Sequence, residues 1–152
     1  MPRDREPPDG AALTVEEAAA LAAARALIGA RKREGRHHVA ATVLTASGRA
    51  YTANNLESVL GRAAICAEAV AIGMATTAEA EAEIVFAVAV NRRGEVIPPC
   101  GMCRELLLDF GPDARIGVPT GDAPCPDGTG AIACPLADLV PHAYKADRRG
   151  AP

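Results

Sequence analysis

Large aromatic side chains are almost absent from this chain. Its 152 residues include two Phe, two Tyr and no Trp. A core without such anchors must be built from Ala, Val, Leu and Ile, whose small side chains permit close helix–sheet approach and leave burial to be gained by self-association. An excess of basic charge is also missing. The formal net charge is −3, which excludes the usual basic type of non-specific nucleic-acid binder. Arg31-Lys32-Arg33 and Arg148-Arg149 are short runs that read as solvated surface. No apolar run is long enough to predict a membrane span. Residues 1–10 are polar and proline-rich, unlike a signal peptide. Disordered tails are expected over 1–12 and 146–152, around a single domain over 13–145. Five cysteines, an odd number, without a secretion signal argue against a disulfide framework and for a metal site in a cytoplasmic protein.

What is present is a regular alternation of patterns. Thr14-Val15-Glu16-Glu17 reads as a capping box opening an Ala-rich helix to about Arg33, with Gly35 as its stop. His38 to Ala46, the Ser47-Gly48 turn and Arg49 to Ala53 predict a hairpin. A helical pattern from about Ile65 to Ala80 precedes an apolar run, Ile84 to Val90, with the length of a buried strand. Val96-Ile97 predicts a short strand and Gly101 to Phe110 a helix stopped by Gly111-Pro112. Ala114 to Val118 and Ala131 to Ala133 predict strands, and Pro135 to Val140 a last short helix. This order predicts an α/β sandwich around a mixed sheet.

The chemistry is concentrated in two segments, Cys66-Ala67-Glu68 and Pro99-Cys100-Gly101-Met102-Cys103. A lone Cys-x-x-Cys leaves a redox pair or structural zinc open. A third cysteine with a glutamate beside it predicts a three-thiolate zinc site whose fourth position stays open, the arrangement of a catalytic centre. Both segments open predicted helices, whose N-terminal N–H groups favour thiolates. Glu68 is placed to move protons, not to bind metal. Arg104 is a candidate to offset the excess negative charge of three thiolates on a divalent ion.

At these residues the chain resembles the cytidine deaminase family, with the blasticidin S deaminases within it. The likeness extends to Asn55-Leu56-Glu57, to the hairpin at His38-Val39-Ala40-Ala41 and to Leu136 through Tyr144. The resemblance implies a three-layer α-β-α sandwich around a mixed five-stranded sheet, and zinc on Cys66, Cys100 and Cys103 with Glu68 as proton shuttle. It also implies pyrimidine contacts from the backbone of Ala67 and Pro98, and ribose contacts from Asn55 and Glu57. Tyr144 would reach a neighbouring subunit's site in a homo-oligomer, a tetramer ahead of a dimer. The implied activity is hydrolytic deamination of cytidine or deoxycytidine in pyrimidine salvage, with no nucleic-acid or membrane partner.

The chain also departs from the family pattern. Ala69 stands where an Arg commonly follows Cys-Ala-Glu, and Glu105 where Gln follows Cys-Arg. His37 or His38 takes the place of the base-stacking aromatic. Blasticidin S deaminases also lack that Arg but generally lack the Asn-x-Glu motif. Two further readings therefore stand beside the first: a deaminase of blasticidin S or another aminopyrimidine nucleoside, and a non-catalytic zinc-binding module. Cys125, Cys134 and His142 read as ordinary structural residues.

Overall fold

The computed structural model describes residues 10–121 and 128–144. The first helix, α1 (Val15–Arg31), starts at the expected capping box. Thr14 N–H donates to Glu17 Oε2 (2.8 Å) and Glu17 N–H to Thr14 Oγ1 (3.2 Å). Buried Glu17 is also paired with Arg115, 3.1 Å away. The helix stops two residues short of the expected Arg33. There the backbone instead closes a tight turn, Arg33 N–H donating to His37 O and His37 N–H to Arg33 O. Gly35 shapes that turn with φ +68°, a conformation costly to residues with a Cβ.

The hairpin follows as β1 (Val39–Thr45) and β2 (Ala50–Asn54). Then come α2 (Ala67–Ala78), β3 (Ile84–Asn91), β4 (Val96–Ile97) and α3 (Gly101–Phe110). The chain continues as β5 (Arg115–Pro119), β6 (Ala131–Pro135) and α4 (Leu136–Leu139). Five strands run in the order β2-β1-β3-β5-β6, and the two-residue β4 pairs with β3 off this path, so the expected five-stranded sheet carries a sixth, short member. Among the described strand pairs only β3–β5 is parallel; the others are antiparallel.

Strand alternation divides the core into two layers. Phe86, Val88 and Val90 of β3 face α1, against Ala20, Leu21, Ala24 and Ile28. Ala87 faces the other way, into a cluster with Ala71, Ile72 and Ala75 of α2, Leu107 of α3 and Ile116 of β5. Helices thus cover both faces, as the three-layer expectation requires. Among the described residues, no helix is long and apolar enough to cross a membrane.

The expected tail boundary moves. Ala11 bridges Ala133 with backbone bonds of 3.0 and 2.9 Å, because the edge of β6 offers groups that need partners. Order therefore begins before residue 12; residues 1–9, the tail over 146–152 and Cys125 lie outside the described residues.

Candidate active site

Cys66 and Cys100 are the N-cap residues of α2 and α3. Glu68 and Cys103 lie in the first turns of the same helices. Two helix N-termini therefore converge with their positive ends toward one point, a fitting environment for negative charge. The Sγ atoms of Cys66, Cys100 and Cys103 lie within 4.8 Å of one another. The Cys66–Cys100 separation is 3.6 Å. A disulfide would need about 2.05 Å. Two thiolates sharing a tetrahedral zinc, each at about 2.3 Å, stand about 3.8 Å apart. The three residues thus fit a metal ion and do not form a disulfide.

The electrostatics agree with that fit. Burial drives the Cys103 thiol far above its ordinary range, with the nearby Glu68 carboxylate adding to the effect. Burial and the neighbouring Cys100 also push up Cys66. For Cys100, burial is outweighed by hydrogen bonds from the Cys103 backbone and side chain, which bring the thiol below its ordinary value. A buried thiol of this kind ionises only with a cation to compensate it, and a divalent metal supplies that compensation.

Glu68 is 5% exposed. Burial raises its pKa, partly opposed by its own backbone N–H and by the Cys103 side chain. Small residues make this position reachable. Ala67 packs with Ala41 of β1 and Ala89 of β3 in a separate buried cluster, bordered by Val39 and Ile97. Methyl-sized contacts let the start of α2 settle close to the sheet, so Glu68 and Cys66 arrive at its end beside Cys100.

The residues expected to meet a sugar form a second group, joined by hydrogen bonds. Asn55 is buried, and its Oδ1 accepts from the N–H groups of His38 (2.8 Å) and Val39 (3.0 Å). Its Nδ2 donates to Glu57 Oε1 at 2.9 Å. Glu57 itself is exposed. His37 Nδ1 lies 2.8 Å from Asn55 O. A carbonyl only accepts, so Nδ1 carries the proton and a neutral His37 leaves Nε2 as an acceptor. Asn55 is therefore also a structural fastener of β1, a role that the Asn-x-Glu motif alone does not reveal.

Other expected residues fall differently. Pro98 is exposed in the link between β4 and α3. Arg104 donates from Nε to Pro99 O (2.8 Å) and from Nη1 to Leu139 O (3.0 Å). Its hydrogen-bond partners among the described residues are these carbonyls, not a thiolate, and it ties the cysteine loop to the end of α4. Tyr144 is 82% exposed, so within the described chain it is not gathered into the site. Ala69 is half-buried and Glu105 exposed. Cys134 is a core residue whose thiol faces Ile116 O at 3.8 Å.

Comparison with known proteins places this arrangement. The cytidine and deoxycytidylate deaminase zinc-binding region matches residues 14–118. A blasticidin-S deaminase from Bacillus cereus is 39% identical over 90 residues, which cover 55% of this chain and 64% of that protein. A cytidine deaminase from Mycobacterium tuberculosis is 34% identical over 89 residues, covering 59% and 66%. The chain thus spans just under two thirds of these curated relatives. In three dimensions, a crystal structure of cytidine deaminase from Mycobacterium tuberculosis aligns with TM-score 0.70 and 25% identity, over 88% of this chain and all of that one. Cytidine deaminase from Mycobacterium leprae aligns with TM-score 0.65 at the same identity, over 81% and 95%.

Proposed function

Because the chain belongs to the cytidine and deoxycytidylate deaminase zinc-binding family, we propose that it is a zinc-dependent hydrolytic deaminase of cytosine nucleosides. The observation that carries this reading is the convergence of three cysteine sulfurs within 4.8 Å at two helix N-termini, with buried Glu68 on the first turn of one of them. Cys66, Cys100 and Cys103 would hold the ion. When bound, zinc supplies a Lewis acid that makes water nucleophilic near neutral pH.

Glu68 takes the proton of the attacking water and delivers it to the pyrimidine ring. It then carries the remaining proton of that water, now on the C4 hydroxyl, to the amine as the C4–N bond breaks, so that cytidine and water give uridine and ammonia. Its raised pKa suits a group that must both accept and return a proton. The backbone of Ala67 and Pro98 contacts the base, and Asn55 and Glu57 hold the ribose. Asn55 has its carbonyl oxygen committed to β1, so its free N–H and the exposed Glu57 carboxylate make the sugar contacts. His37 stacks on the base from the position fixed by its Nδ1 bond. Turnover of free nucleosides in this way is a cytoplasmic salvage activity. Exposed Leu56, Val59, Leu60 and Ile65 support a homo-oligomer in which Tyr144 reaches a neighbour's site.

The test is ultraviolet loss and ammonia release on cytidine and deoxycytidine, against Glu68→Gln. Loss of the proton carrier lowers kcat by about 10²–10⁴-fold. A Glu68→Gln enzyme with parental kcat refutes the mechanism.

A second substrate reading is supported by the 39% identity to blasticidin-S deaminase and by Ala69 in place of the family's Arg. It keeps the chemistry and assigns the site to blasticidin S or a related aminopyrimidine nucleoside. A comparison of kcat/KM on blasticidin S and cytidine decides between them, and strong preference for cytidine removes the second reading.

A further inference from the structure

A hollow of about 340 Å³ lies outside the cysteine group, lined by Lys32, Arg33, Arg92 and Arg93, with Glu34 as the lone carboxylate. Its walls come from two turns distant in sequence. One is the Gly35 turn after α1, closed by the Arg33–His37 backbone pair. The other is the turn between β3 and β4, held by Asn91 Oδ1, which accepts from Arg93 N–H at 2.8 Å. Pairing of Val39 with Asn91 sets the two turns side by side. Arg25 of α1 pins the second turn by donating to Gly94 O at 2.9 Å. The backbone that carries these exposed cations is thus braced.

Their charge is incompletely neutralised. Arg92 pairs with Glu34 at 3.2 Å, and Arg93 with Glu95 at 2.8 Å. Both pairs are largely exposed, so they are weak and readily exchanged for a better ligand. Lys32 and Arg33 have no side-chain hydrogen bond or ion pair with any described residue. Four cations therefore gather against two carboxylates, Glu34 on the lining and Glu95 beside it, on a chain whose net charge is −3. The partial negative charge at the end of α1 opposes an anion there, but it is smaller than one full charge.

We propose that this hollow binds a phosphate-class dianion. Guanidinium forks match phosphate oxygens bidentately, and Lys32 adds a point charge. His37 and His38 line the same hollow, and both are bonded to Asn55. The site's place beside the sugar-binding group rests on the proposed deaminase reading; its charge does not. The dianion is either the phosphate of a nucleoside monophosphate that also enters the cysteine site, or free phosphate bound alongside a nucleoside.

Calorimetry separates these sources without using turnover. Inorganic phosphate, cytidine and cytidine 5′-monophosphate are titrated at fixed ionic strength into the full chain carrying Glu68→Gln, with and without Lys32→Gln and Arg33→Gln together. Fixed ionic strength holds screening constant. Phosphate and the monophosphate are expected to bind, and the double substitution to weaken both by about tenfold or more, the effect of losing a charge-assisted contact. Cytidine affinity should be unchanged. A monophosphate that binds more tightly than cytidine assigns the phosphate to the ligand itself. Phosphate binding with no such advantage assigns the site to free phosphate. The proposal is overturned if neither anion binds, or if the double variant binds both as its parent does. Lys32 and Arg33 are exposed, so unchanged thermal unfolding confirms that the comparison is between folded proteins. A failure of deamination leaves these outcomes untouched.

Discussion

Replacing Asn55 tests whether one side chain both fastens β1 and orients Glu57. In Asn55→Ala the N–H groups of His38 and Val39 lose their shared acceptor, and Glu57 loses a donor. Leaving a buried donor unpaired costs about 1–3 kcal/mol, and the lost bond to a carboxylate adds to that. The site is near the surface and water recovers part of the loss, so a net destabilisation of about 2–4 kcal/mol is expected. For a domain of this size that corresponds to a fall in Tm of about 5–15 °C.

Asn55→Asp is the sharper perturbation. It keeps the acceptor for both N–H groups but sets a carboxylate oxygen where Nδ2 now lies 2.9 Å from Glu57 Oε1. Two carboxylates that close cannot both ionise, so the folded-state pKa of the introduced carboxyl group rises above its unfolded value of about 3.9. A group whose pKa is raised by folding stabilises the fold at low pH, and that contribution is lost as pH rises through the folded value. Asn55→Asp should therefore trail its parent by little at or below about pH 4, where the unfolded carboxyl is also protonated, and by much more near pH 8, whereas the Asn55→Ala deficit stays flat. Denaturant unfolding of parent and both variants at the two pH values, with equal m-values, reads this directly. An Asn55→Ala variant within about 0.5 kcal/mol of its parent, the range of an ordinary surface change, refutes the fastening role. A pH-independent deficit in Asn55→Asp refutes the carboxylate pairing.

Two further outcomes follow from the packing. Cys103→Ser should lose stoichiometric zinc by elemental analysis, together with the rise in Tm that zinc gives the parent, since a ligand bound to the folded state alone stabilises it; retention of full zinc content would exclude Cys103 as a ligand. Gly111→Ala should destabilise by about 1–3 kcal/mol in denaturant unfolding, because a Cβ there runs into the backbone carbonyl of Ile84, which β3 holds in place. Parental stability in that variant would show that the end of α3 can move away from the sheet.

Much of the fold was legible because its signals are local. The capping box at Thr14, the Ser47-Gly48 turn and the apolar run from Ile84 each state their structure within a few residues. Boundaries shifted where longer-range partners competed. Arg33 left the expected helix because His37 offered its backbone a return pairing, and Ala11 left the expected tail because β6 had an edge to fill. The cysteine–glutamate set was legible for a related reason: ligand type and spacing are constrained by metal chemistry. Arg104 was only half legible. Its nearness to Cys103 in sequence suggested a contact with thiolates, but helical geometry turned it toward the Pro99 and Leu139 carbonyls.

Residue type alone marks three thiols, one carboxylate beside them and an Asn-x-Glu pair further upstream as the candidates for chemistry. Their identities follow from residue type, which no folding step alters. That two helix N-termini meet so that the sulfurs lie together, and that Asn55 spends its oxygen on β1, follows from the folded arrangement alone. The same arrangement decided that cations from turns distant in sequence, Lys32 and Arg33 with Arg92 and Arg93, line a single hollow. These are non-local facts, set by the antiparallel pairing of β1 with β3 and by Ala–Ala contacts that bring α2 close to the sheet. A chain read one residue at a time carries no term for either.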